Sequence, residues 1–249
     1  MDAGLGDASL VLTGLEGGAA RRLAGVRVDA ALSPASMIKV PIAAALAARW
    51  AAGTHRTSDE VAVDPANLTP NDAPSPLVPG YRARLDELGR LMLTRSDNVA
   101  TNVLIDVLGR EAITDYCADL GLRATAVRRK LSGSLPLIDD PGATGRNSHP
   151  AADAALLFES IALGRVPGAD WLFETLAAAE WNNKLNGGLD DGDRFAHNTG
   201  DTDEVSHDGG ILTTVEGRRY VLVVYAPVSS PDGDDARFAA LMRRLRATL

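Results

Sequence analysis

The sequence predicts an α+β fold in which one β-sheet is completed by strands from both ends of the chain, with an all-helical lobe inserted between them. Two observations carry this. Short β-rich runs bounded by glycines occur near the start and again only near the end of the 249 residues. Between them, apolar residues recur at three- and four-residue steps, the period of amphipathic helices. At 45% hydrophobic content the chain can bury a large core without staples. The spacing places a sheet lobe at residues 1–33 plus 189–249 and an all-α lobe at 34–188, together one domain.

Element by element, Ser9–Thr13 and Arg21–Asp29 read as strands joined by the Glu16-Gly17-Gly18 turn. A helix follows from Ser36 to about Ala52, with Pro41 near the end of its first turn, where a missing N–H is tolerated. From Gly53 to Arg82 five prolines (Pro65, Pro70, Pro74, Pro76, Pro79) exclude long regular elements and predict a wandering surface loop. Helical patterns resume at Leu85–Thr94, Asn98–Leu108, Glu111–Leu120, Ala151–Leu163 and Asp170–Glu180. Strand patterns return at Phe195–Thr199, Gly209–Val215 and Tyr220–Tyr225, and an amphipathic helix closes the chain at about Asp235–Thr248.

Composition excludes several function classes. Cys117 is the single cysteine, so neither an intramolecular disulfide nor a cysteine-based metal site can form. The net charge of −8 comes from scattered acids, and no basic run interleaved with aromatics is present, which argues against nucleic acid as a partner. His55, His149, His197 and His207 lack metal-ligand spacing, so no metal is expected, and without a phosphate-cradling glycine loop no cofactor is expected either. A Gly-x-Ser-x-Gly elbow is absent as well. Met1–Val28 shows neither an export signal nor a membrane-spanning run. As written, the chain reads as a soluble monomer, cytoplasmic unless an export signal was removed, in which case periplasmic or secreted.

The most informative local feature is Ser36-Met37-Ile38-Lys39, where a loop gives way to an alanine-rich helix. Residues i and i+3 share a helix face, so the hydroxyl and the amine point into the same space. A buried amine loses its proton readily and can then serve as a base for the hydroxyl. The alternative is an ordinary helix start, with Ser36 as the N-cap and Lys39 solvated. A second polar triplet, Ser96-Asp97-Asn98, interrupts two apolar helices, and it reads either as groups facing a cleft or as helix capping. A third segment, His197-Asn198-Thr199-Gly200, ends a predicted strand, where backbone N–H groups can face a ligand or simply close a turn.

Together these segments resemble the penicillin-recognising serine enzymes, in particular the class A β-lactamase-like family, whose signature is Ser-x-x-Lys, Ser-Asp-Asn and Lys-Thr-Gly. The likeness extends to Ser36-Met37-Ile38-Lys39-Val40-Pro41, to Ser96–Leu104 and to Ser206-His207-Asp208-Gly209-Gly210. The resemblance implies a five-stranded antiparallel sheet flanked by terminal helices, with the site between sheet and helical lobe. It implies Ser36 as nucleophile, Lys39 as base and Ser96 as proton relay. It also implies Asn98 as the holder of the substrate's amide, Thr199 as binder of a substrate carboxylate, and an oxyanion hole from the backbone N–H groups of Ser36 and Asp201. Asn198, Thr199, Gly200 and Asp201 would form the substrate-binding strand edge.

Three departures stand out. Asn198 replaces the lysine of Lys-Thr-Gly, removing a fixed cation, and a charge-assisted hydrogen bond is about twice as strong as a neutral one. His197, His207 or Arg194 are the candidates to replace its potential. No glutamate lies between Leu131 and Pro150, where the family carries the residue that activates the hydrolytic water. Asn147 matches the family's asparagine of that loop, while Asp139 and Asp140 read either as substitutes for the glutamate with a shorter reach or, the favoured reading, as solvated turn carboxylates beside Pro141. Only Met1–Ala8 precede the first strand, where the family places a helix, so either the sheet face is covered differently or the chain was truncated.

The sequence therefore predicts a single catalytic domain, a serine hydrolase forming an acyl-enzyme at Ser36 on a small-molecule or peptide substrate, whether a β-lactam, an amide or an ester, with weak β-lactam turnover. A peptidase or esterase for a non-anionic substrate, or a silent binding protein on the same scaffold, are the alternatives.

Overall fold

The computed structural model describes residues 4–229 and 235–249. A five-stranded antiparallel sheet runs in the order β2-β1-β7-β6-β5, from β1 (Ser9–Glu16), β2 (Ala19–Val26), β5 (Arg194–Asp201), β6 (Ser206–Thr213) and β7 (Arg219–Ala226). The last strand thus sits beside the first, as the distribution of β-rich runs required.

Both faces of this sheet are covered, which explains why β7 is a continuous apolar run rather than an alternating one. Val221, Val223 and Tyr225 point to the side holding α5 (Ala151–Ala162) and the large helical core. Tyr220, Leu222, Val224 and Ala226 point the other way, onto Phe238, Leu241 and Met242 of α7 (Asp235–Arg246). Among the described residues, that second face is covered by α7 and by Leu5, 4% exposed. Every residue of β2, the edge strand, is exposed.

The remaining helices are α1 (Lys39–Ala51), α2 (Leu85–Thr94), α3 (Asn98–Leu108), α4 (Arg110–Asp119) and α6 (Ala169–Ala177). They bury Ile42, Leu46, Leu88, Met92, Val103 and Leu104 in one core with Phe158 of α5. The helix expected from Ser36 is divided: a 3-10 turn spans Ala35–Ile38 and α1 proper starts at Lys39, so Pro41 is its third residue, a position that needs no N–H. The stretch 53–82, expected to be irregular, contributes β3 (Glu60–Ala62), paired with β4 (Arg82–Arg84). Its prolines all fall in the connection between these two strands, and an Arg82–Glu60 ion pair of 3.0 Å fastens the ladder. No helix among the described residues is long and apolar enough to cross a membrane.

Candidate active site

The 3-10 turn brings Ser36 and Lys39 together more directly than an α-helix does, because side chains at i and i+3 eclipse at three residues per turn. Lys39 is fully buried. Its Nζ lies 2.9 Å from Ser36 Oγ, 2.7 Å from Ser96 Oγ, 2.6 Å from the Ser96 carbonyl and 2.9 Å from Asn98 Oδ1. Burial pulls its pKa down to about 7, against the opposing pull of Asp97 and Asp72. An amine at that pKa is part neutral near neutral pH and can accept the Ser36 proton. Lys39 is therefore not the solvated first-turn residue of an ordinary helix start, and the Ser36 hydroxyl makes no cap bond.

Ser96 sits between α2 and α3 and closes the triangle, with its Oγ 3.0 Å from Ser36 Oγ. It holds this position in the left-handed region, at φ 58°, and Ala35 beside the nucleophile is left-handed too, at φ 45°. Such residues without glycine's freedom cost about 1–3 kcal/mol each and cluster at functional sites. The two readings of the Ser96-Asp97-Asn98 triplet both hold, on different residues: Asp97 caps α3 by accepting from Ala100 N at 2.9 Å, while Ser96 faces the cleft. Asn98 is fixed at both ends. Its Oδ1 accepts from Lys39, and its Nδ2 donates to the Pro70 carbonyl at 3.1 Å, so the proline-rich loop borders the site.

Strand β5 forms the opposite wall. Asn198 is 2% exposed and donates through Nδ2 to the Ser36 carbonyl at 2.9 Å and to the Thr199 carbonyl at 3.0 Å. It therefore ties β5 to the nucleophile's turn instead of lining the cleft. Gly200 permits that close approach, since a Cβ there would stand 3.1 Å from both the Ser36 nitrogen and the Pro34 carbonyl oxygen. Thr199, Gly200 and Asp201 line the cleft with Ser36, Ser96, Asp72, Trp181, Asn183, Lys184 and Asp235.

Lys184 is one of five cleft residues that sequence reasoning missed, with Asp72, Trp181, Asn183 and Asp235. Its Nζ lies 2.5 Å from Asp201 Oδ1 and 3.1 Å from the His207 carbonyl oxygen. The three cations considered to replace the missing lysine take other places. Arg194 pairs with Glu174 at 3.3 Å, both of them largely exposed. His197 is buried between Asp208 Oδ1 and Asn182 Oδ1, at 2.8 and 3.0 Å. His207 is buried with its pKa pushed down to about 4 by desolvation, so it is neutral at pH 7.

Asn147 is not among the cleft-lining residues. Its side chain accepts from the N–H groups of Arg128 and Arg129, at 2.7 and 3.0 Å, and donates to the Arg129 carbonyl, closing its own loop. Asp140 is not a solvated turn carboxylate. Its side chain is 5% exposed, paired with Arg110, and accepts from Lys130 N at 2.7 Å, because the turn folds back onto α4. Among the described residues, no group of three or more His, Cys, Asp or Glu could hold a metal ion.

A family model described as "Beta-lactamase enzyme family" matches residues 2–248. A β-lactamase from Rhodobacter capsulatus is 40% identical over 87 residues, which span 34% of this chain and 30% of that protein's length. A variant of PBP-A, solved as an acyl-enzyme complex with penicillin G, superposes with a TM-score of 0.83 at 26% identity, covering 97% of this chain and 89% of the other. A β-lactamase from Sphaerobacter thermophilus gives a TM-score of 0.80 at 25% identity over 97% and 91% of the two chains.

Proposed function

This chain belongs to the β-lactamase enzyme family, and from that premise we propose that it is a serine hydrolase acting through an acyl-enzyme at Ser36. The observation that carries the proposal is the fully buried Lys39 amine, its pKa lowered to about 7, at 2.9 Å from the Ser36 hydroxyl. Neutral Lys39 takes the proton as Ser36 Oγ bonds to the substrate's carbonyl carbon. The backbone N–H groups of Ser36 and Asp201 stabilise the oxyanion, each donor contributing about 3–4 kcal/mol in sites of this kind. Ser96, in hydrogen-bond reach of both Lys39 and Ser36, then passes the proton to the leaving nitrogen or oxygen as the bond to the carbonyl carbon breaks. Every group in these steps comes from one chain, so a single catalytic domain working as a monomer suffices.

Deacylation is the slow step in this reading. The loop from Leu131 to Pro150 carries no glutamate, and Asp140 and Asn147 are engaged in ties of their own. Weak β-lactam turnover with an accumulating acyl-enzyme follows.

Intact-protein mass after incubation with a penicillin and with an activated ester tests this. The expected result is an adduct on the wild-type chain and none on Ser36→Ala. An adduct that survives Ser36→Ala would sink the assignment. A second reading, a peptidase or esterase for substrates without a carboxylate, is favoured by Asn198 facing the Ser36 carbonyl, and it predicts labelling by the ester alone. Neither adduct nor turnover with either reagent would leave a silent binding protein.

A further inference from the structure

We infer that the cleft selects acyl donors that carry an ammonium group. This deepens the reading of a Ser36 hydrolase and rests on it for the site's location. Three carboxylates, Asp72, Asp201 and Asp235, line the cleft against a single ammonium in its wall, that of Lys184. That lysine is withheld from a ligand: its side chain is 3% exposed, its Nζ contacts Asp201 Oδ1 and the His207 carbonyl, and the Phe238 ring lies 5.5 Å away. Asn198, at the position where a cation would stand, is uncharged and turned to the Ser36 carbonyl.

Asp201 keeps capacity to spare. Lys184 and Ser206 both bind its Oδ1, and 33% of its side chain remains exposed. Asp72 has no ion-pair partner among the described residues, and the contact recorded for Asp235 is a neutral one, the Asn183 amide. A separate observation points to a ligand here: Thr199 is 9% exposed and lines the cleft, and its hydroxyl makes no hydrogen bond among the described residues. A substrate polar group therefore meets Thr199 while its cation sits among the carboxylates. Clefts lined by one sign of charge concentrate the opposite charge and lose this advantage in salt.

The test compares the 4-nitrophenyl esters of 4-(trimethylammonio)butyrate, of its neutral isostere 5,5-dimethylhexanoate, and of hemiadipate. Acylation rates are measured at low and at high salt, with Ser36 labelling confirmed by mass. The cationic ester should acylate about tenfold faster than the neutral one at low salt, with the advantage shrinking at 0.5 M salt and the anionic ester slowest. Asp72→Asn should cut the cationic-to-neutral ratio about threefold. Taking the ratio within each variant cancels any effect on Lys39, which Asp72 also influences. Equal rates, or an anionic preference, with Ser36 labelled would overturn the inference and leave the hydrolase reading intact. If no ester labels Ser36, the hydrolase reading fails, and the charge preference is read from calorimetric binding of 4-(trimethylammonio)butyramide against 5,5-dimethylhexanamide. Tighter binding of the cation, lost in Asp72→Asn, supports the inference, and equal affinity rejects it.

Discussion

Lys39 links two observables that are otherwise unrelated, activity and stability. If its neutral form is the base, the acylation rate should fall about tenfold per pH unit below about 6 and level off above 8, as measured in a pH profile of single-turnover acylation. The same group shapes stability. Below about 7 the amine is charged in both folded and unfolded chains, and its burial cost is present in full. Between about 7 and the ordinary value of 10.5, the unfolded chain holds the proton and the folded one releases it, so the cost is relieved and stability rises with pH. Lys39→Met should flatten that rise in denaturant titrations at pH 7 and 10, while abolishing acylation. The closeness of Ser36 and Lys39 was legible in the sequence because a 3-10 or α-helical turn converts a spacing of three directly into proximity, whereas Ser96, 60 residues away, entered only through the resemblance of Ser96-Asp97-Asn98 to a family motif. Lys184 was not legible. Nothing local marks a lysine whose role comes from burial against Asp201 and Phe238, elements that meet it only in the folded chain.

At the level of elements, one tight constraint lies between β5 and β6. A Cβ on Gly210 would come within 2.2 Å of the Ala196 carbonyl oxygen and 2.6 Å of the His197 Cα. Backbone cannot yield as a flexible side chain does, so Gly210→Ala should destabilise the protein by about 1–3 kcal/mol, measurable as a lower denaturant midpoint. Because Asn198 lies on the displaced strand and ties it to Ser36, the variant should also acylate more slowly at temperatures where it remains folded. The bounds of α2 and α3 agree with the sequence reading to the residue, since Asp97 both breaks the period and caps the next helix. β3 and β4 escaped it because strands of three residues carry too little pattern to stand out beside five prolines.

At the scale of the whole molecule, the last turn of α7 is bolted to the sheet through Arg246, 7% exposed, which reaches Asp193 at 2.8 Å and Glu216 at 2.8 Å. Hydrogen bonds from Thr214 and Arg246 hold the Glu216 carboxyl at about 2, below its usual 4.5. A depressed carboxylate contributes stability at pH above about 4.5 that is lost as pH falls toward 2. Glu216→Gln should therefore give a shallower loss of stability across that window, followed by thermal melts at stepped pH. The overall architecture was legible because strand patterns clustered at the two ends of the chain. The central place of β7 between β1 and β6 has a consequence for synthesis on the ribosome. The β1–β2 hairpin emerges early but must wait for nearly the whole chain before its second edge finds a partner. Until then, only the nascent helices can begin local assembly. The interval leaves an unpaired β-edge open to chaperones or to neighbouring nascent chains, so the rate of translation through the helical middle sets how long that exposure lasts.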